Sequence, residues 1–190
     1  VDVRAKGRYD RRMVLCLALL VLASAPALAG VPEAADPGQI PAYRLVRPDV
    51  AVAGQPTPEA LARLKEMGFR TVVNMRSARE GPEGEGDAVE AQGLRYVSVP
   101  VTPESFSLAD VEAVERVLAD PASGPVLLHC SSSNRVGGVW AVLESRRGRS
   151  PEEALAAGRA AGLHSPPMEA AVRRLLGLPE PAAVSPPVNP

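Results

Sequence analysis

Short apolar runs alternate along this chain with longer stretches in which apolar residues return every three or four positions. The runs lie at residues 50–53, 69–75, 94–99 and 125–129, and runs of that length read as strands, buried on both faces where they are continuous. Residues 43–53 form a first strand or hairpin, broken at Pro48-Asp49. The periodic stretches carry helix-start chemistry. Thr57-Pro58-Glu59 supplies an N-cap, a proline at the first helical position and an acid in the first turn. Leu61, Leu64 and Met67 follow as the buried face, and Gly68 closes the helix. A short helix is expected around 87–92, ending at Gly93. Ser107 with Asp110 makes a capping box for a helix that buries Val111, Val114, Val117 and Leu118 and stops at Asp120-Pro121. Residues 136–143 read as a helix, Ser150-Pro151-Glu152-Glu153 opens another that runs to Ala161, and a last one covers about 168–176. Residues 79–86, rich in Gly, Glu and Pro, are expected to be a mobile loop. Strands alternating with helices predict an α/β fold: a mostly parallel sheet with helices on both faces. Ligands in such sheets bind beyond the carboxyl ends of the strands, where Cys130 and Arg76 are placed.

The chain has 190 residues, 46% of them hydrophobic, enough for one core and no second domain. Its beginning has a different character. Arg11-Arg12 precede an uncharged apolar stretch, residues 13–25, and Ala27-Leu28-Ala29 fits a small-x-small cleavage site. The pattern is that of a secretory signal peptide over residues 1–29, too short in its apolar part to span a membrane. It implies a periplasmic or secreted bacterial protein. A flexible lead-in at 30–42, one domain at 43–178 and a Pro-rich disordered tail at 179–190 complete the expected organisation. Without residues 1–29 the chain keeps 16 basic and 20 acidic residues, a net charge of −4, which argues against nucleic acid or an anionic membrane as partner. It also keeps one cysteine, Cys130, so no intramolecular disulfide can form. A monomer is expected.

The candidate chemistry lies in His129-Cys130-Ser131-Ser132-Ser133-Asn134-Arg135. A strand, a tight loop that starts with Cys and ends with Arg, and a helix is the layout of an anion-binding nucleophile site. Loop N–H groups and the helix N-terminus create positive potential, which favours a bound oxyanion and a thiolate alike. Arg135 can hold an oxyanion in a bidentate fork. Cys130 could instead be a small core residue, the common fate of a lone cysteine. Only two histidines, His129 and His164, are present, so a metal site built on paired His is not expected. Trp140, spaced from Val136 and Leu143 as on one helix face, reads as core.

His-Cys, a short loop, Arg and a helix resemble the cysteine-dependent protein tyrosine and dual-specificity phosphatases. Val52-Ala53-Gly54-Gln55-Pro56 and residues 64–76, ending Val73-Asn74-Met75-Arg76, resemble a bacterial subgroup of that superfamily, the beta-lactamase-hydrolase-like phosphatases. The resemblance covers about 43–176 and implies a dual-specificity-phosphatase-like fold, no cofactor and no metal. It implies hydrolysis of a phosphorylated protein or a small phosphomonoester through a phosphocysteine on Cys130. Ser131, Ser132, Ser133, Asn134 and Arg135 would bind the phosphoryl group, with His129 and Arg76 behind them. The family's acid usually comes from the loop before the long helix; here Glu104 is the only carboxylate in that loop, and a solvated surface glutamate explains it equally well. Arg76, Arg79 and Glu80 border the expected pocket or form a surface cluster.

Three departures matter. Four residues separate Cys130 from Arg135, where most of the superfamily has five; the bacterial subgroup shares the shorter loop. The usual loop glycine is missing, so Ser131-Ser132-Ser133-Asn134 must supply the backbone curvature, with Asn134 expected to carry part of the left-handed strain. Val136 stands where a Ser or Thr usually assists departure of the thiolate. The compact loop also resembles rhodanese-like sulfurtransferases, which hold a persulfide on the same cysteine, so sulfur transfer or thiol redox chemistry is the alternative.

Overall fold

A computed structural model describes residues 40–180. The expected signal peptide, most of the lead-in and the last ten residues of the tail lie outside that range. Five strands form one sheet: β1 (Arg44–Arg47), β2 (Val50–Ala53), β3 (Thr71–Asn74), β4 (Arg95–Ser98) and β5 (Val126–His129), in the order β1-β2-β5-β3-β4. β1 turns back on β2 as an antiparallel hairpin at Pro48-Asp49, and every other neighbouring pair is parallel. β5 is central, so its carboxyl end, and Cys130 with it, emerges between β2 and β3.

Side-chain alternation divides the core into two layers. Val50, Val52, Val73 and Leu128 face the side covered by α3 (Leu108–Ala119), α4 (Asn134–Arg146), α5 (Pro151–Ala160) and α6 (Pro166–Leu176). Ala51, Ala53, Val72 and Leu127 face the other, where Leu61, Leu64, Phe69, Val89 and Leu94 pack from α1 (Pro58–Leu61), α2 (Glu85–Glu90) and their flanks. Ile40, at the start of the described chain, is buried in that second layer.

The capping chemistry reads through to the structure. Thr57 Oγ1 accepts from Ala60 N–H at 3.2 Å, Asp110 accepts from Ser107 N–H at 2.9 Å, and Glu153 accepts from Ser150 N–H at 3.1 Å. Three expectations need correction. The helix after Thr57 is a single turn: Arg63 and Leu64 bond back three residues, to Ala60 and Leu61, so the chain tightens into turns that still bury Leu64. The short helix expected around 87–92 starts earlier, with a 3₁₀ turn at Ala78–Glu80 and α2 beginning at Glu85. The helix behind the Cys–Arg loop starts at Asn134, which puts Arg135 in its first turn.

Candidate active site

Ser133, not Asn134, takes the left-handed conformation of the loop (φ +66°) and caps α4. The physical reason lies across the molecule. Asn134 must be helical to present its amide to the α5–α6 connection: its Oδ1 accepts from His164 and Ser165 N–H, both at 2.9 Å, and its Nδ2 donates to Ser165 Oγ at 2.7 Å. Ser133 Oγ donates to the buried Ala161 carbonyl at 2.9 Å. Ser133 and Asn134, expected to bind phosphate, thus spend their side chains anchoring the loop from behind. Gly162 (φ +116°) makes room for this, since a Cβ there would come within 2.6 Å of Ser133 Oγ.

The other flank of the loop rests on the Gly54-Gln55 stretch. Ser132 bridges Gly54, and Gln55 N–H donates to Ser131 O at 3.2 Å. A side chain at Gly54 would press on that carbonyl at 3.0 Å. Cys130 N–H is directed at Ala53 O at 3.4 Å, and the Cys130 side chain is completely buried.

Arg135 reaches back over the loop. Its Nη1 and Nη2 grip Glu80 Oε2 and Oε1 at 2.5 and 2.6 Å, and Nη2 also donates to Ser131 Oγ at 3.1 Å. Ser131 Oγ in turn donates to Glu80. Glu80's carboxylate, with the Cys130 sulfur also within reach of the guanidinium, holds Arg135 more firmly protonated than an ordinary arginine. The same bond holds the Glu80 carboxyl far below the usual carboxylate range. The arrangement is a planar cation beside a thiol, already closed on a planar anion.

Behind the loop lies a buried carboxylate that sequence reasoning missed. Glu85 accepts from Gln55 Nε2 at 2.7 Å, Asn74 Nδ2 at 2.8 Å and Arg76 Nη2 at 3.1 Å. His129 Nε2 lies 2.9 Å away, off the line of an aligned hydrogen bond. Arg76 also reaches the Glu80 carbonyl, so it acts from beneath the 77–85 segment. Desolvation opposes Glu85's charge, but His129, Gln55 and Arg76 outweigh it and keep the carboxyl below its ordinary range. The signal that could have found Glu85 was the group of donors at Gln55, Asn74, Arg76 and His129, all at strand ends and all in need of one acceptor. Glu104, expected as the general acid, is exposed, its side chain kept within its own turn by Thr102. Arg79 is exposed, and Val136 and Trp140 are core. Among the described residues no cluster of His, Cys, Asp and Glu is suited to a metal ion.

A parallel sheet whose central strand delivers Cys130 into a loop closed by a helix-borne arginine defines the cysteine-dependent, dual-specificity-phosphatase class of fold. Solved structures share it. Pseudomonas aeruginosa TpbA matches with a TM-score of 0.59 and 23% identity, over 79% of this chain and 92% of that one. Tk-PTP in its active form matches at 0.59 and 22%, over 72% and 97%. Residues 42–146 match the family model of the beta-lactamase hydrolase-like protein, phosphatase-like domain, and the chain belongs to that family. Curated relatives are the beta-lactamase hydrolase-like proteins of Xylella fastidiosa (34% identical, 56% of this chain, 26% of the relative) and Agrobacterium fabrum (30%, 53% and 24%). The chain thus spans about a quarter of their length.

Proposed function

We propose that this protein hydrolyses phosphomonoesters through a phosphocysteine on Cys130. The observation that carries the reading is the bidentate grip of Arg135 on an anion beside the Cys130 sulfur. A guanidinium so placed would hold two phosphoryl oxygens and the charge that develops on them in the transition state. The Cys130 thiolate attacks phosphorus and an S–P bond forms. The ester O–P bond breaks, and its electron pair leaves on the oxygen, which takes up a proton. Water then attacks the phosphocysteine, releasing phosphate and restoring the thiolate. Glu85 and His129 act from behind by fixing the strand ends that carry the loop. The substrate is a phosphorylated protein or a small phosphomonoester, met by a monomer exported from a bacterial cytoplasm; the N-terminal sequence supports the export.

Incubation with an aryl phosphate and, separately, with thiosulfate plus cyanide tests the reading. Phosphate release that vanishes in Cys130→Ser, without thiocyanate, is expected. Thiocyanate without phosphate release would replace it with sulfur transfer.

A further inference from the structure

The carboxylate on Arg135 belongs to the protein itself. Glu80 is bound on both edges: Oε1 by Arg135 Nη2 and Ser131 Oγ, Oε2 by Arg135 Nη1 and by Ser77 N–H and Oγ at 2.8 and 2.9 Å. It therefore takes up both Nη groups of the guanidinium together with a loop hydroxyl, groups an incoming oxyanion would use. Cys130, at the start of the same loop, is completely buried, and its sulfur cannot meet a phosphorus atom until a neighbouring group moves. The side chain of Glu80 is 30% exposed and that of Arg135 only 13%, so an arriving anion meets the glutamate first.

We infer that Glu80 is an internal anion that occupies the oxyanion site in the resting protein and must be displaced by the substrate phosphoryl group. The inference rests on Arg135 being the oxyanion-binding group in the reading above. The segment that carries Glu80 suits the task. Its 3₁₀ turn is closed at Gly81 (φ +63°), a second left-handed glycine follows at Gly84 (φ +79°), and the far end is anchored by Glu85. When the fork is taken by phosphate, Glu80 retains Ser77's two donors, so its carboxylate is not left bare. Acid does not release it, because Arg135 keeps the carboxyl ionised far below the usual range. The anion site is thus fractionally occupied from within, and its apparent affinity for any external oxyanion is lowered by the fraction of molecules in which the pair is open.

The test is binding of inorganic phosphate to the full chain by calorimetry, for wild type, Glu80→Gln and Glu80→Ala, each checked by thermal melting. If the pair is closed in nine molecules of ten, both variants bind phosphate about tenfold more tightly. A second readout is alkylation of Cys130 by iodoacetate, followed by mass spectrometry of its peptide, which should speed up when Glu80 is removed. Affinity that is unchanged or weaker, with no faster labelling, would make Glu80 a brace for Arg135 and overturn the inference. Tighter phosphate binding without hydrolysis of an aryl phosphate by any of the three proteins would uphold the internal anion and remove the phosphatase reading. Hydrolysis without tighter binding would do the reverse.

Discussion

Arg135 faces two partners of opposite demand, a carboxylate that holds both its Nη groups and, on the proposed function, a thiol that needs those groups free. Its value lies in planarity as much as charge. Arg135→Lys retains the charge but cannot span two oxygens, so kcat for an aryl phosphate should fall by about 10²–10³, the usual loss for a preorganised donor. An unchanged kcat/KM would reduce Arg135 to a structural partner of Glu80. The next residue makes a separate prediction. Val136 is buried and has no hydroxyl to assist the departing thiolate. Breakdown of the phosphocysteine should therefore limit turnover, giving a burst of phenol in rapid mixing followed by a slow steady rate. Val136→Ser should raise the steady rate and leave the burst rate nearly unaltered. A linear time course from the first turnover would show that the missing hydroxyl limits nothing.

At the scale of elements, α4 owes its position to glycine. Gly137, two residues beyond Arg135, lies directly against the end of α5, where a Cβ would come within 2.2 Å of Leu163 N and 2.6 Å of the Gly158 carbonyl. Gly158 reciprocates, with no space for a Cβ beside Ala141. These contacts let α4 and α5 touch backbone to backbone. They bring residues 161–165 close enough for Ser133 and Asn134 to bond them. Gly137→Ala should thus do more than gain helix propensity. Overpacking of this kind costs about 1–3 kcal/mol, read as a lower midpoint in urea at constant m, and activity should fall with it because the loop is displaced. A variant at least as stable as wild type would show that the two helices can separate freely.

For the whole molecule, the buried Glu85 joins β2, β3, β5 and the 77–85 segment through one carboxylate with 4% of its side chain exposed. Its folded-state carboxyl lies below the ordinary range. Its contribution to stability is therefore fully present at neutral pH and is lost as pH falls through and below the unfolded value of about 4.3. The melting temperature should hold down to about pH 5 and then fall as the carboxyl is protonated. Glu85→Gln should melt lower at pH 7, since breaking a buried ion pair costs about 3–5 kcal/mol, and should show a shallower acid limb. An acid limb as steep as that of wild type would assign the acid sensitivity to other carboxylates. Glu80 also stays ionised through this range, so mild acid should leave the closed pair in place.

Local chemistry alone determined much of this protein. Apolar runs, capping boxes and closing glycines are written in neighbouring residues, so β5, α3, α5 and the placement of Cys130 before a helix were legible from them. The resemblance in Gly54-Gln55-Pro56 and Asn74-Met75-Arg76 was legible too, though its purpose was not. Gly54 leaves room for Ser131 O, while Gln55, Asn74 and Arg76 meet at a carboxylate 9 to 30 residues away. What only the tertiary structure decided is of that second kind. Ser133 takes the left-handed turn because Asn134 is needed by His164 and Ser165, about 30 residues on. Glu80, read as bordering the pocket or as one member of a surface cluster, closes on Arg135 across 55 positions of sequence. A capping bond is set by a spacing of three residues. The partner of a guanidinium is set by which strand ends the sheet order brings together, and no local pattern contains that order.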